Sequence, residues 1–378
     1  MRRRICLLIL IFSLLATSGC WGRVEFPQAV VIGGAGMDLL PDQNILTSFQ
    51  LMLPPDISRG PSFVVVSAPG QTVSVGRRRI TLESPRVQII EHIAAFVVGE
   101  AMARNLVDMV DLMLRSPHLR ENTDIFVARG SEARQVLETA PVIEKSSVQA
   151  LKAMIRSQDP TTGVYTEVRI NEVLSKLAAP GIEPVIPGVE VISDASGKKT
   201  LRLSGTAVFR KGHLVGWLDT RESRGYRWLR PKQVRGGTVT VTCPFDGKPV
   251  LLEMLRTRSE IIPRLENGRV AFSIKIRDDA MFYEQKCTHD LLTSPTISQL
   301  EAEGERQIED EVLAAIYKAQ SLESDIFGLG LAVSRRYPRA WQSMEKNWET
   351  IFPTVPVSVQ VDVNIRRSNF LTKILYLR

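Results

Sequence analysis

The sequence predicts an α+β fold, and three observations carry that prediction. Helix-spaced and strand-spaced apolar patterns alternate at both ends of the chain, and the middle is strand-rich with antiparallel character. The chain is also too long for one core. Removing a 19-residue leader from 378 residues leaves 359, beyond the ~250–300 that a single hydrophobic core serves, so two or three domains are expected.

The leader is the first element. Met1-Arg2-Arg3-Arg4 is positive, an apolar run follows from Ile5 to Ala16 broken only by Ser13, and Thr17-Ser18-Gly19-Cys20 closes it. That order describes an export signal over residues 1–19 rather than a fold element. The run holds 12 residues, well short of the ~20 that span a bilayer. A cysteine directly after small residues resembles the lipobox of bacterial lipoproteins, in which the thiol takes a covalent diacylglyceryl lipid and becomes the first mature residue. Thr17 stands where the usual box has Leu, with Leu14 and Leu15 close by. Two acyl chains suffice for stable attachment to a membrane surface. No other stretch approaches 18 uninterrupted apolar residues.

The region 20–190 opens with a strand at Ala29-Val-Val-Ile-Gly33, a polar turn at Pro41–Asn44 and a second strand from Ile45 to Leu53. A Pro/Gly/Ser-rich loop covers 54–61. Helical spacing recurs at Ala101, Asn105, Val107, Met109, Leu112 and Met113. Asp124–Ala128 predicts a strand, and Glu132–Leu137 the start of a helix. Ala179–Gly188, rich in Pro and Gly, predicts a hinge.

The region 191–293 predicts mostly strand, with Val270, Phe272, Ile274 and Ile276 turned to one buried face. In the region 294–378, Ser294-Pro295 starts a helix where the missing proline N–H is harmless. Ile297, Leu300, Gly304, Ile308, Val312, Ala315, Ile316, Ala319 and Leu322 make its continuous apolar face. A second helix is expected over Pro338–Glu349, and Val355 to Ile365 alternate as a half-buried strand.

Charge and cysteines bound the chemistry. The formal charge is +7, and losing three leader arginines leaves +4. That is mild; it suits a surface beside anionic lipid and does not demand nucleic acid. Of four cysteines, Cys6 leaves with the leader and Cys20 carries lipid. Cys243 and Cys287 remain, either as a disulfide, which an exported compartment permits, or as small buried hydrophobes; spacing alone does not decide.

The motifs exclude more than they assign. Gly33-Gly34-Ala35-Gly36 follows a strand, but Pro41 comes too soon for the helix N-terminus a phosphate loop needs, so a bulge or turn is expected. Among His92, His118, His213 and His289, only Cys287-x-His289 has ligand spacing, and a pair cannot fill a tetrahedral metal site. No nucleophile elbow occurs, and no catalytic, cofactor or metal residue is assigned. Arg221, Arg224, Arg227 and Arg230 recur every third residue. On a helix each step of three falls about 60° short of a turn. The four then sweep half the circumference, a solvated face, with lipid headgroups or a protein partner as the other readings.

Two segments are more specific. Gly205-Thr-Ala-Val-Phe209, followed by Trp217, Glu222 and Gly225, resembles the central motif of the Ger(x)C family, the lipoprotein C subunits of spore germinant receptors. Gln320-Ser-Leu-Glu-Ser-Asp325-Ile-Phe-Gly328-Leu-Gly330, with Pro338, Trp341 and Trp348, is similar to its C-terminal motif. Cys20-Trp21, Val98-Gly99-Glu100 to Arg104, and Arg115 to Arg120 add weaker likenesses, so nearly the whole mature chain is covered. Gly22 stands where the family usually has Asp.

The resemblance implies three mixed α/β domains with largely antiparallel or mixed sheets, no enzymatic activity and no cofactor beyond the lipid on Cys20. It implies A and B membrane-embedded partner subunits, and a place on the outer, non-cytoplasmic face of the spore inner membrane. The motif residues are expected in structure or interfaces rather than in ligand contacts; germinant binding by this subunit is left unassigned. The competing class is a solute-binding lipoprotein that captures a nutrient directly, which calorimetry with candidate germinants would separate. An exported enzyme has no motif in its favour.

Overall fold

The computed structural model describes residues 28–53, 62–107, 109, 120, 122–230, 236–291 and 293–367. The leader, Cys20, Trp21, the 54–61 loop, and Leu112 and Met113 of the expected helix lie outside the described residues.

The fold is α+β, built on two sheets. The first runs β3 (Phe63–Gly70), β2 (Ile45–Met52), β1 (Ala29–Leu39), β5 (Ala95–Gly99), β6 (Asp124–Ala128), β7 (Val185–Ser193), β8 (Lys199–Arg210) and β9 (His213–Leu218). The short β4 (Val87–Ile89) also pairs with β1. Its centre, β1-β5-β6-β7, is parallel and both flanks are antiparallel.

Every residue of β5 and β6 is buried. Phe96, Val98, Ile125 and Val127 enter one apolar cluster, and Ala95, Val97, Phe126 and Ala128 enter another. A strand covered on both faces needs a near-continuous apolar run, which Ala95–Gly99 and Ile125–Ala128 supply, Asp124 being the buried acid at the start of β6. The first cluster takes Ile170 and Val173 from helix Ile170–Ala178; the second takes Val148, Leu151 and Ile155 from helix Ser147–Thr161.

The glycine run at 33–36 lies inside β1, with a bulge between Ile32 and Gly34, so no phosphate loop forms there. The predicted strands at Ile45 and Asp124 and the helix after Glu132 (Ala133–Glu138) are present.

The second sheet runs β10 (Thr238–Thr242), β11 (Pro249–Glu266), β12 (Arg269–Gln285) and β13 (Val357–Arg367). Its first two pairings are antiparallel, and β13 lies parallel to β12. Helix Ser294–Ser321 covers it, burying Leu300, Ile308, Val312 and Ile316 against Val241, Leu252, Ile274 and Val363. Among the described residues no helix is long and apolar enough to cross a membrane.

The sheets cross the region boundaries expected from sequence. The 190/191 boundary falls inside β7, and β8 and β9 complete the first sheet, so 191–293 is not a unit of its own. The hinge signal misled because Pro187-Gly188 sits at a bulge of β7, a position that tolerates a missing N–H. The boundary at 293/294 also fails to separate units, because β13 returns to pair with β12. The expected helix over Pro338–Glu349 is broken into Pro338–Met344, a 3-10 turn at Glu345–Asn347 and Trp348–Ile351.

Candidate functional site

The family-like segments converge where the two sheets meet. Helix Thr220–Trp228 starts at Asp219, whose carboxylate accepts from the Glu222 N–H while the Glu222 carboxylate accepts from the Asp219 N–H, both at 2.8 Å. This reciprocal cap satisfies two end N–H groups. The helix then crosses Ser294–Ser321 at Gly225. A Cβ there would lie 2.0 Å from the Glu311 carbonyl oxygen, so only glycine permits the approach.

The close crossing brings three donors to Glu311. Arg224 donates through Nε at 2.8 Å and through a second guanidinium nitrogen, and Trp228 Nε1 donates at 2.9 Å. Arg227 is 1% exposed. It donates to the Asp159 carboxylate at 3.0 Å, the Asp159 carbonyl at 2.9 Å and the Gly236 carbonyl at 3.2 Å. Burial pushes its guanidinium below the usual value, opposed by Asp159. The expectation of a solvated arginine face is therefore overturned at Arg224 and Arg227. Arg221 donates to the Asp310 carbonyl and Arg230 pairs with Glu172. Sequence reasoning named the arginines but not Asp159 or Glu311, 68 and 87 residues from their partners.

The central motif also reaches the N-terminal one. Half-buried Trp217 on β9 donates to Glu100 at 3.4 Å, with the Arg129 guanidinium 5.0 Å above its ring. Glu100 in turn accepts from the Gly130 N–H at 2.8 Å. Gly205 lies in β8 beside Arg129 and Trp217, and Phe209 is fully buried in the first cluster. The Phe209 carbonyl accepts from Ser324 Oγ at 2.6 Å, tying β8 to the C-terminal motif.

That motif centres on Asp325. Its Oδ1 accepts from the Gly328 and Leu329 N–H groups at 2.9 and 3.0 Å. Its Oδ2 accepts from the Gly330 N–H at 2.7 Å and Trp348 Nε1 at 2.9 Å. Four donors fill the acceptor capacity of the carboxylate and cap helix Leu329–Arg336. Burial still dominates, and the carboxyl is pushed up to about 6. Gly328 enters that helix at φ +73°, a left-handed conformation natural to glycine. Gly330 and Gly181 pack backbone to backbone under Trp341, and Trp341 meets Trp348 edge-on at 5.3 Å. Gln320 donates to the Phe352 and Val355 carbonyls, and Pro338 opens its helix.

A cleft of about 470 Å³ opens beside this junction, lined by the 179–183 loop, Lys211, Asp325, Trp341, Trp348 and Glu349. Glu183 within it is pushed up to about 7 by burial, with the Glu349 and Asp325 charges adding and the Lys211 backbone N–H opposing. Lys211 pairs with Glu349 at 2.5 Å. The lining holds acids, one lysine, aromatic rings and aliphatic residues, with no Ser, Thr, Cys or His among them. A second groove of about 1220 Å³ shares Ala179 and Ile182 and carries Lys176, Arg230, Arg335 and Arg336. The 179–183 loop thus separates an acidic cleft from a more basic one.

Away from this junction, Cys243 and Cys287 are joined as a disulfide, with Cα atoms 5.9 Å apart.

Comparisons place the chain among known proteins. Residues 23–191 match the family model described as the spore germination protein N-terminal domain. Residues 204–369 match the model described as spore germination B3/GerAC like, C-terminal. Spore germination protein KC of Bacillus subtilis (strain 168) is 24% identical over 392 residues, covering 97% of this chain and 96% of that one. Spore germination protein B3 of the same organism is 24% identical over 375 residues, covering 96% and 97%. The crystal structure of the GerBC protein matches with a TM-score of 0.60 at 20% identity, over 88% of this chain and 97% of that one.

Proposed function

The chain belongs to the Ger(x)C family of spore germination proteins, and from that premise we propose that it is the lipid-anchored, non-catalytic C subunit of a nutrient germinant receptor. In this reading residues 1–19 are removed, Cys20 carries the lipid, and the folded part stands on the outer face of the spore inner membrane. Membrane-embedded A and B subunits are its partners. The observation that carries the reading is the order and completeness of the family matches, one for each half of the chain with 12 residues between them.

The role suits the physics of the anchor. A tether confines the chain to a thin layer and raises its effective concentration for membrane partners, so weak docking surfaces suffice. The motif residues support a structural account of the family pattern. Asp325, Gly225, Trp217 and Trp348 hold the two sheets and the C-terminal helices in one arrangement, which a subunit needs if it presents a fixed surface.

The test is co-purification from spore membranes in mild detergent. A tagged chain is expected to bring down the A and B membrane subunits. If those two subunits purify together without this chain, the proposed partnership fails.

A further inference from the structure

At the open end of the second sheet, four side chains with metal-binding atoms come together: Cys243, Asp246, Cys287 and His289. One donor atom from each lies within 4.8 Å of all the others. The set is assembled from two segments. Cys243-Pro-Phe-Asp246 is the turn between β10 and β11, closed by Cys243 N–H donating to the Lys248 carbonyl at 2.8 Å and Gly247 N–H donating to the Cys243 carbonyl at 3.0 Å. Cys287-Thr-His289 follows β12, held by Lys286 N–H on the Pro249 carbonyl. Two residues separate Cys243 from Asp246 and one separates Cys287 from His289, so each segment brings two donor side chains to the corner.

We infer that, with both thiols reduced, this corner binds one Zn²⁺ through Cys243 Sγ, Cys287 Sγ, an Asp246 carboxylate oxygen and a His289 ring nitrogen. Zinc takes four such donors tetrahedrally at about 2.0–2.3 Å, which places them about 3.3–3.8 Å from one another. The observed cluster is within about 1.5 Å of that arrangement.

The supporting shell is present. Asp246 Oδ2 accepts from the Thr288 N–H at 3.3 Å and the Thr288 hydroxyl at 3.4 Å, which orients the carboxylate. Phe245 stacks on the His289 ring at 4.7 Å. The cysteines are buried beside Val241, Val250 and Leu291, while His289 is exposed, so a metal can enter from solvent onto sulfurs shielded from it. Two thiolates and a carboxylate leave a zinc site one charge negative, and Lys248, 3.3 Å from Asp246, offsets it.

Starting from the disulfide, a dithiol or phosphine reductant first supplies two electrons, with two protons from solvent, to give two thiols; metal binding then releases those two protons and transfers no electrons. The disulfide and the zinc site use the same two sulfurs, so a chain holds one or the other.

The experiment uses the full chain in detergent, reduced with a phosphine, stripped by chelator and titrated with Co²⁺ and then Zn²⁺. One Co²⁺ per chain is expected, with thiolate-to-cobalt charge-transfer absorption and tetrahedral d–d bands that one equivalent of Zn²⁺ abolishes. Cys243→Ser should lose the charge-transfer intensity of one thiolate. Because that cysteine is buried, the surface variant His289→Ala provides a second reading and should weaken Co²⁺ binding at least about 10-fold with altered d–d bands. Reduced parent chain without the charge-transfer band, or a His289→Ala, Asp246→Asn double variant that binds with the parent's affinity and spectrum, overturns the inference.

Discussion

Replacing Asp278 by Asn should make this protein more stable at pH 8. Asp278 on β12 is 2% exposed. Its Oδ2 accepts from the Thr257 hydroxyl at 2.5 Å, and its Oδ1 has no hydrogen-bond partner. Burial pushes the carboxyl from 3.8 up to about 7, with Asp279 adding and Thr257, the Arg256 backbone and Arg227 opposing. A carboxyl raised in this way holds its proton more tightly in the folded chain than in the unfolded one. Its contribution is most favourable below pH 3.8 and is lost as pH rises to about 7. That shift corresponds to roughly 4 kcal/mol at 1.36 kcal/mol per unit. Asn keeps the shape and one acceptor for Thr257, and it carries no charge to desolvate. Its amide group meets no acceptor on the other side, which returns about 1–3 kcal/mol. The net gain at pH 8 is therefore about 1–3 kcal/mol, shrinking at pH 5, where less of the penalty applies. Urea unfolding of the full chain in detergent at both pH values measures it, with an unchanged m-value showing that only stability moved. A midpoint at pH 8 equal to or below the parent's would refute the reasoning that ionised Asp278 opposes folding.

Three further substitutions probe the junction between the sheets, each read as a urea midpoint. Gly225→Ala drives a methyl into the Glu311 carbonyl and should destabilise by about 1–3 kcal/mol through helix separation. Trp348→Phe keeps the stacking on Trp341 and Phe352 but removes the N–H donated to Asp325; loss of one bond to a charged group predicts about 1.5–3 kcal/mol. Arg227→Met keeps the buried stem and strips its bonds to Asp159 and the Gly236 carbonyl. About 2–4 kcal/mol of destabilisation is expected, at the lower end if half-exposed Asp159 rehydrates.

Local pattern made much of this fold legible. The alternation of Val270 to Ile276 and the apolar spacing from Leu300 to Ala319 each report one buried face, and the structure buries those faces; the alternation of Val357 to Ile365 reports a half-buried one, with Val363 buried and its neighbours partly so. Pairings between distant segments left no such trace. Glu311 reads as one more charge on a helix until Gly225 lets another helix bring Arg224 and Trp228 to it. Asp325 stands out only as a motif residue, because its four donors come from residues that follow it and fold back. Pro187-Gly188 carries the composition of a linker yet lies in a strand, since a bulge absorbs what a regular ladder would not. Cys287-x-His289 looked too small for a metal because Cys243 and Asp246, more than 40 residues earlier, join it only through the antiparallel pairing of β11 with β12. The chemistry legible from motifs was the family pattern; its physical meaning needed the contacts.

The central claim is that lipid on Cys20 holds a non-catalytic receptor subunit at the spore membrane, and Cys20→Ala in a sporulating host tests it most directly. Spore membranes and soluble fractions are probed for the chain, and germination is followed with the matching nutrient. The account predicts that the variant leaves the membrane fraction and that the nutrient response falls to the level of spores lacking the chain. A variant chain found in the soluble fraction of spores that germinate at the parent rate would contradict it.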